Sequence, residues 1–98
     1  MTYAARVDAN QAQIVMALRS VGASVQPLHT VGRGCPDLLV GFRGRCYVFE
    51  VKQPGLPPSK RLTDEEEKWH KNWRGQIGIV ETPQQAVEML QSLARLAA

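Results

Sequence analysis

The sequence predicts an α/β domain with the element order helix, three strands, helix, strand, helix, in which a mixed sheet is flanked by helices. Three observations predict it. Apolar residues recur at helical spacing around Ile14, Trp69 and Leu90. Short apolar runs rich in β-branched and aromatic residues lie between Gly and Pro turn signals, ending near Leu28, Phe42, Val51 and Val80. Helix-start signatures stand at Asp8, Thr63 and Thr82.

Each element has a local cause. Met1 to Val7 is a short lead-in. Asp8 reads as an N-cap with Gln11 at the capping-box position; Ile14, Val15, Leu18 and Val21 form the apolar stripe, and Gly22 ends the helix. Ala23 to Leu28 is a short strand, and His29 to Gly34 a Gly-rich loop that contains Arg33. Leu38 to Phe42 and Cys46 to Val51 form a hairpin across a tight Arg43-Gly44 turn. Gln53 to Arg61 holds three prolines and a glycine, which rule out regular structure. Thr63 with Glu66 forms a capping box, and Asp64 to Glu67 place acidic groups at the positive end of the second helix. Trp69 and Trp73, one turn apart, are expected to pack that helix on the sheet in preference to stacking on bases, leaving Lys68, Lys71 and Arg74 on a basic side. Gln76 to Val80 is the last strand. Thr82 caps the final helix, with Pro83 at its first position and Val87, Leu90, Leu93 and Ala94 along its apolar stripe.

Composition narrows the classes of function. A chain of 98 residues, 44% apolar and 21% charged, reads as one globular domain spanning 1–98, with a small core that self-association would help. A net charge of +3 mildly favours a polyanionic partner. No apolar run approaches a membrane span, and the N-terminus has no signal-peptide core, so an intracellular, cytoplasmic protein without a membrane partner is expected. Cys35 and Cys46 lack metal-type spacing and read as reduced thiols, Cys35 as a packing residue.

The chemistry gathers in the hairpin. Asp37, Glu50 and Lys52 are charged residues inside an otherwise apolar segment, and alternation points Glu50 and Lys52 to one face of their strand. Pairing across the turn brings Asp37 beside them. Lys52 with one carboxylate would be an ordinary salt bridge. Two carboxylates about 4 Å apart, at an effective dielectric of about 20, repel by about 4 kcal/mol, of which one lysine offsets only part. A divalent cation offsets it fully, and two carboxylates, a backbone carbonyl and waters suit Mg²⁺.

Pro36-Asp37, a hairpin, and Glu50-Val51-Lys52 resemble the PD-(D/E)xK motif of metal-dependent nucleases. Gly34-Cys35-Pro36-Asp37 and the gap to Glu50 most resemble the VRR-NUC family, specifically its small stand-alone branch in phages and bacteria, related to archaeal Holliday junction resolvases. The likeness runs from about Asp8 to the last helix. It implies a restriction-endonuclease-like core and hydrolysis of DNA phosphodiester bonds with Mg²⁺ or Mn²⁺. Asp37, Glu50 and the Val51 carbonyl would hold the metal, and Lys52 would position water and steady the phosphate. A homodimer selective for junctions or flaps, and a phage or prophage origin, belong to the same expectation.

In that family the first helix usually adds a glutamate to the site. Here it has none. Gln11 is the matching position, Asn10 and Asp8 are neighbouring candidates, and capping accounts equally well for Asp8 and Gln11. Glu66 stands where relatives commonly carry a glutamine, with capping, support of the metal shell, or both as its role. Arg33, Lys60 and Arg61 are the expected phosphate contacts, with His29 at the cleft rim. The alternatives to an enzyme are a non-catalytic nucleic-acid-binding module and a subunit of a larger restriction or recombination complex.

Overall fold

The structure, a computed structural model, describes residues 9–55, 57 and 62–96. Its elements are α1 (Ala9–Ser20), β1 (Ser24–Pro27), β2 (Leu38–Phe42), β3 (Arg45–Val51), α2 (Asp64–Asn72), β4 (Ile77–Val80) and α3 (Pro83–Leu96), in the order expected. The sheet runs β1-β2-β3-β4. β1, β2 and β3 form an antiparallel meander, and β4 joins β3 in parallel after the α2 crossover, which makes the sheet mixed.

The β2–β3 turn has both central residues in the left-handed region, Arg43 at φ 52° and Gly44 at φ 79°. That is the primed geometry whose twist matches a hairpin. The Arg43 guanidinium lies 4.9 Å from the Phe42 ring centroid, at the end of the hairpin remote from Asp37.

β3 is the central buried strand. Tyr47, Phe49 and Val51 face one core with Leu38, Val40 and Phe42 of β2, Ile14 and Leu18 of α1, Val80 of β4, and Ala86 and Leu90 of α3. Val48 and Glu50 are buried as well but belong to the opposite face. The core therefore lies on the α1–α3 side, and the charged members of the hairpin face the other way. Gly78 of β4 lets this core close, because a Cβ there would run into the Met89 sulfur and meet the Phe49 ring at 3.3 Å.

The helix starts follow local chemistry. Thr63 Oγ1 accepts from Glu66 N at 3.2 Å and Glu66 Oε1 from Thr63 N at 2.9 Å, the reciprocal capping box expected. At α3, Thr82 Oγ1 accepts from Gln85 N at 3.1 Å, but the Gln85 side chain reaches back to Glu81 N, one residue further. The proposed Asp8 cap lies outside the described residues.

One packing expectation fails. α2 has no buried residue, and Trp69 and Trp73 do not pin it to the sheet. They stack on each other, with ring centroids 4.6 Å apart and an interplanar angle of 21°, and Trp73 is 42% exposed. The helix is too polar to present an apolar stripe, so each indole covers the other.

Candidate active site

The register that pairs Leu38 with Phe49 places Asp37 opposite Glu50 when carried one residue further. Pro36, which has no N–H, lies next to the end of β2, and the ladder changes there. Asp37 Oδ2 accepts the Val51 N–H at 2.8 Å, and its own carbonyl accepts Leu28 N at 2.7 Å. Asp37 is thus tied to β3 through its side chain and to the end of β1 through its backbone.

Lys52 is fixed through both backbone and side chain. Its N–H donates to Val80 O at 2.9 Å, and its carbonyl accepts from Asn10 Nδ2 at 3.0 Å. The same Asn10 amide donates to Glu81 O at 3.2 Å, so α1 ties together the ends of β3 and β4. The Lys52 ammonium lies 2.7 Å from Glu66 Oε1 and 3.6 Å from Glu50 Oε2. Glu66 therefore caps α2 and holds Lys52 with one oxygen.

Glu50 is 2% exposed. Burial foremost, then the hydrogen bond and negative charge of Asp37, then the charge of Glu66, push its carboxyl up to about 9, although Lys52 pulls the other way. Without a bound cation to offset its charge, this carboxyl holds its proton well above the ordinary carboxylate range. Burial pulls the Lys52 ammonium down, but the hydrogen bond to Glu66 and the charges of Glu50, Glu66 and Asp37 outweigh it and leave its pKa raised. Burial works against ionised Glu66 too, yet the Lys52 hydrogen bond and the Thr63 N–H leave its pKa lowered. Burial and the charges of Glu50 and Asp37 push the Cys35 thiol up, which suits a packing residue and not a thiolate.

Two buried atoms at this site have no hydrogen-bond partner among the described residues: Glu50 Oε1 and His70 Nε2, which lie 3.9 Å apart. Burial, with the nearby Lys52 charge, keeps the His70 pKa below its usual value despite Glu66. Sequence reading missed His70. The signal was its place one turn after Glu66 on the same helix face.

The donor set fits a hard divalent cation that keeps several waters. Asp37 and Glu50 supply carboxylates on adjacent strands, Glu50 Oε1 is unclaimed, and Val51 lies between Glu50 and Lys52 in the chain. Among the described residues no three His, Cys, Asp or Glu side chains converge as metal donors. Gln11 is buried and lines a groove of about 310 Å³ with Ala12, Val15, Met16, Arg19, Pro27 and His29; neither carboxylate lines it. On α1 it is Asn10 that reaches the Lys52 backbone, and its buried Oδ1 has no partner among the described residues. Arg33 lines a different groove beside α2. Lys60 and Arg61 lie outside the described residues.

A solved structure described as a VRR_NUC domain superposes with a TM-score of 0.64 and 25% sequence identity, over 83% of this chain and 89% of that one. The chain has the VRR-NUC fold. This match supports the resemblance carried by Pro36-Asp37 and Glu50-Val51-Lys52, and the mixed four-stranded sheet with three helices in this chain is consistent with a restriction-endonuclease-like core. No family model and no curated protein matches the sequence. Among the described residues no helix is long and apolar enough to cross a membrane.

The raised Glu50 pKa sets a pH dependence of stability. Below about 4.5 both the folded and the unfolded chain carry a protonated Glu50, and nothing is lost. As pH rises, the unfolded carboxyl ionises while the folded one holds its proton to about 9, so the folded state loses stability across that window. With chelator present, the wild-type melting temperature is expected to fall relative to Glu50→Gln as pH is raised through this range. Parallel curves for the two proteins would refute the buried-acid assignment.

Proposed function

We propose that this VRR-NUC domain is a metal-dependent nuclease that hydrolyses DNA phosphodiester bonds at Asp37, Glu50 and Lys52. The observation that carries the reading is the buried Glu50 carboxyl, beside Asp37 and 3.6 Å from the Lys52 ammonium, with one oxygen left without a partner. Such a group is costly unless a cation or a shared proton offsets its charge.

Asp37, Glu50 and the Val51 carbonyl would hold Mg²⁺ or Mn²⁺. When bound, the ion supplies an acidified water and neutralises charge on the phosphate. Lys52 stays an ammonium at neutral pH, so it acts as a cation and not as a base. It orients the attacking water and stabilises the pentacovalent phosphate, while Glu66 holds it in place. Water would attack in line and lose a proton to solvent as the P–O3′ bond breaks; the leaving 3′-oxygen takes up a proton from solvent, so the products carry a 5′-phosphate and a 3′-hydroxyl. Arg33, with Lys60 and Arg61, would contact the backbone phosphates. We extend the proposal to a homodimer whose two sites address opposite strands of a junction or flap.

The test is incubation with linear, flapped and four-way DNA in Mg²⁺ or Mn²⁺, with and without chelator. Cutting that chelator abolishes is expected. Binding without cutting on every substrate would favour the non-catalytic module, the reading favoured by a first helix, Ala9–Ser20, that carries no glutamate.

A further inference from the structure

Beside the active site, a groove of about 300 Å³ runs between the Gly-rich loop and α2, lined by Arg33, Glu65, Lys68, Trp69 and Asn72. We infer that this groove binds an unpaired nucleotide of single-stranded nucleic acid, stacking its base on Trp69 and holding its phosphate with Arg33 and Lys68. The direction of the strand toward Asp37 and Glu50 rests on the nuclease reading; the binding itself does not.

Four observations point to this occupant. The indoles of Trp69 and Trp73 are already stacked on a helix with no buried residue, so they form an aromatic platform outside the core, with Trp69 half-buried and Trp73 exposed. The groove reaches Trp69 but not Trp73, which leaves Trp69 ring surface available on that side. Arg33 and Lys68 have no ion-pair partner among the described residues, and with Glu65 they leave the groove one positive charge in excess.

The loop is also locked in place. Gly32, Arg33 and Gly34 are consecutive left-handed residues at φ 77°, 55° and 79°, and Gly34 packs directly on the Glu65 carbonyl. A non-glycine residue held in that region is sparsely populated and tends to occur at functional sites. Here it presents an arginine across from an indole.

Placement links the groove to the chemistry. Arg33 lies four residues before Asp37, and Glu65 adjoins the Glu66 that holds Lys52. The groove is therefore framed by the same loop that leads to Asp37 and the same helix that carries Glu66. Stacking needs a free base face, which a duplex hides and a single strand offers, and the volume suits one nucleotide and not a helix. Asn72 and Glu65 add polar groups for base edges. The substrate class is thus DNA or RNA with an unpaired segment next to the scissile bond.

Trp69 and Trp73 are the only tryptophans, so fluorescence excited selectively at tryptophan reports on this platform alone. With chelator present to prevent cutting, the full chain is titrated with oligodeoxyuridylate, oligouridylate and a blunt DNA duplex of equal length. Quenching by a single strand and little by the duplex is expected; quenching by one oligonucleotide alone identifies the sugar preferred. Trp69→Ala is expected to weaken single-strand binding roughly 5- to 150-fold, with part regained in Trp69→Phe. Arg33→Gly, which the left-handed backbone accepts, is expected to weaken binding and lower the salt slope by about 1. Should Trp69→Ala lose its folded circular dichroism, the Arg33→Gly result decides.

Binding without a fluorescence change, equal quenching by the duplex, or an unaltered affinity in a folded Trp69→Ala would overturn the inference. Chelator-sensitive cutting with those results sinks the platform alone. Quenching and selective binding with no cutting in Mg²⁺ or Mn²⁺ sink the nuclease reading alone.

Discussion

Asp37→Asn, Glu50→Gln and Lys52→Ala are each expected to lower DNA cleavage by about three orders of magnitude or more while the chain stays folded. The three side chains form one electrostatic unit, so removing any member disables the others. Glu50→Gln is the most informative. The amide keeps the shape of the acid but cannot become the anion that a cation needs. Without metal it also removes a buried group whose ionisation the fold opposes, so at neutral pH it is expected to leave stability unchanged or raise it by up to about 3 kcal/mol. A rise in melting temperature together with lost cleavage separates a catalytic role from a structural one. Lys52→Ala differs, because it leaves the Glu66 carboxylate without its 2.7 Å partner and should lose some stability as well. Cleavage within tenfold of wild type in any of the three would refute the role assigned to that residue.

Gly34→Ala is expected to destabilise the chain by about 2–4 kcal/mol, the sum of a left-handed backbone penalty and a steric one. At φ 79° an L side chain is strained wherever it sits. Here its Cβ would also collide with the Glu65 carbonyl oxygen and lie 2.9 Å from Glu66 N. Both obstacles are helix backbone, which cannot swing aside as a side chain would. Gly32→Ala is the control: its φ is 77°, but a Cβ would meet nothing within 4 Å. It should lose only the backbone penalty, about 1–2 kcal/mol. For a domain of this size the difference is several degrees in melting temperature. Equal losses in the two variants would show that the Gly34 contact does not hold the loop on α2. Because that contact positions the segment leading to Asp37, Gly34→Ala should also reduce cleavage at temperatures where it remains folded.

Much of the site was legible because the chemistry lies on a hairpin. Strand alternation is local, so the shared face of Glu50 and Lys52 follows from their spacing, and the short turn allowed only a few pairings for Asp37. The Thr63–Glu66 capping box was legible for the same reason, since both partners lie within one turn. The second task of Glu66, holding Lys52, was not legible; support of the metal shell was the only second role its position suggested. The third contribution from α1 was not legible. Asn10, Gln11 and Asp8 are neighbours in sequence, and their directions depend on how α1 seats against β3 and β4. In the structure Asn10 ties Lys52 to Glu81 while Gln11 lines another groove with His29.

Taken by itself, the sequence determined the order of the elements, the burial of the hairpin and the gathering of acid and lysine at its open end, because periodicity, turn chemistry and alternation act between near neighbours. Tertiary structure alone decided that α2 would stand clear of the core, that His70 would face Glu50, and that Arg33 and Trp69 would enclose a common groove. Those outcomes depend on the placement of one helix, and that placement depends on the absence of a side chain at Gly34, whose contact with Glu65 spans a separation along the chain that no local pattern encodes.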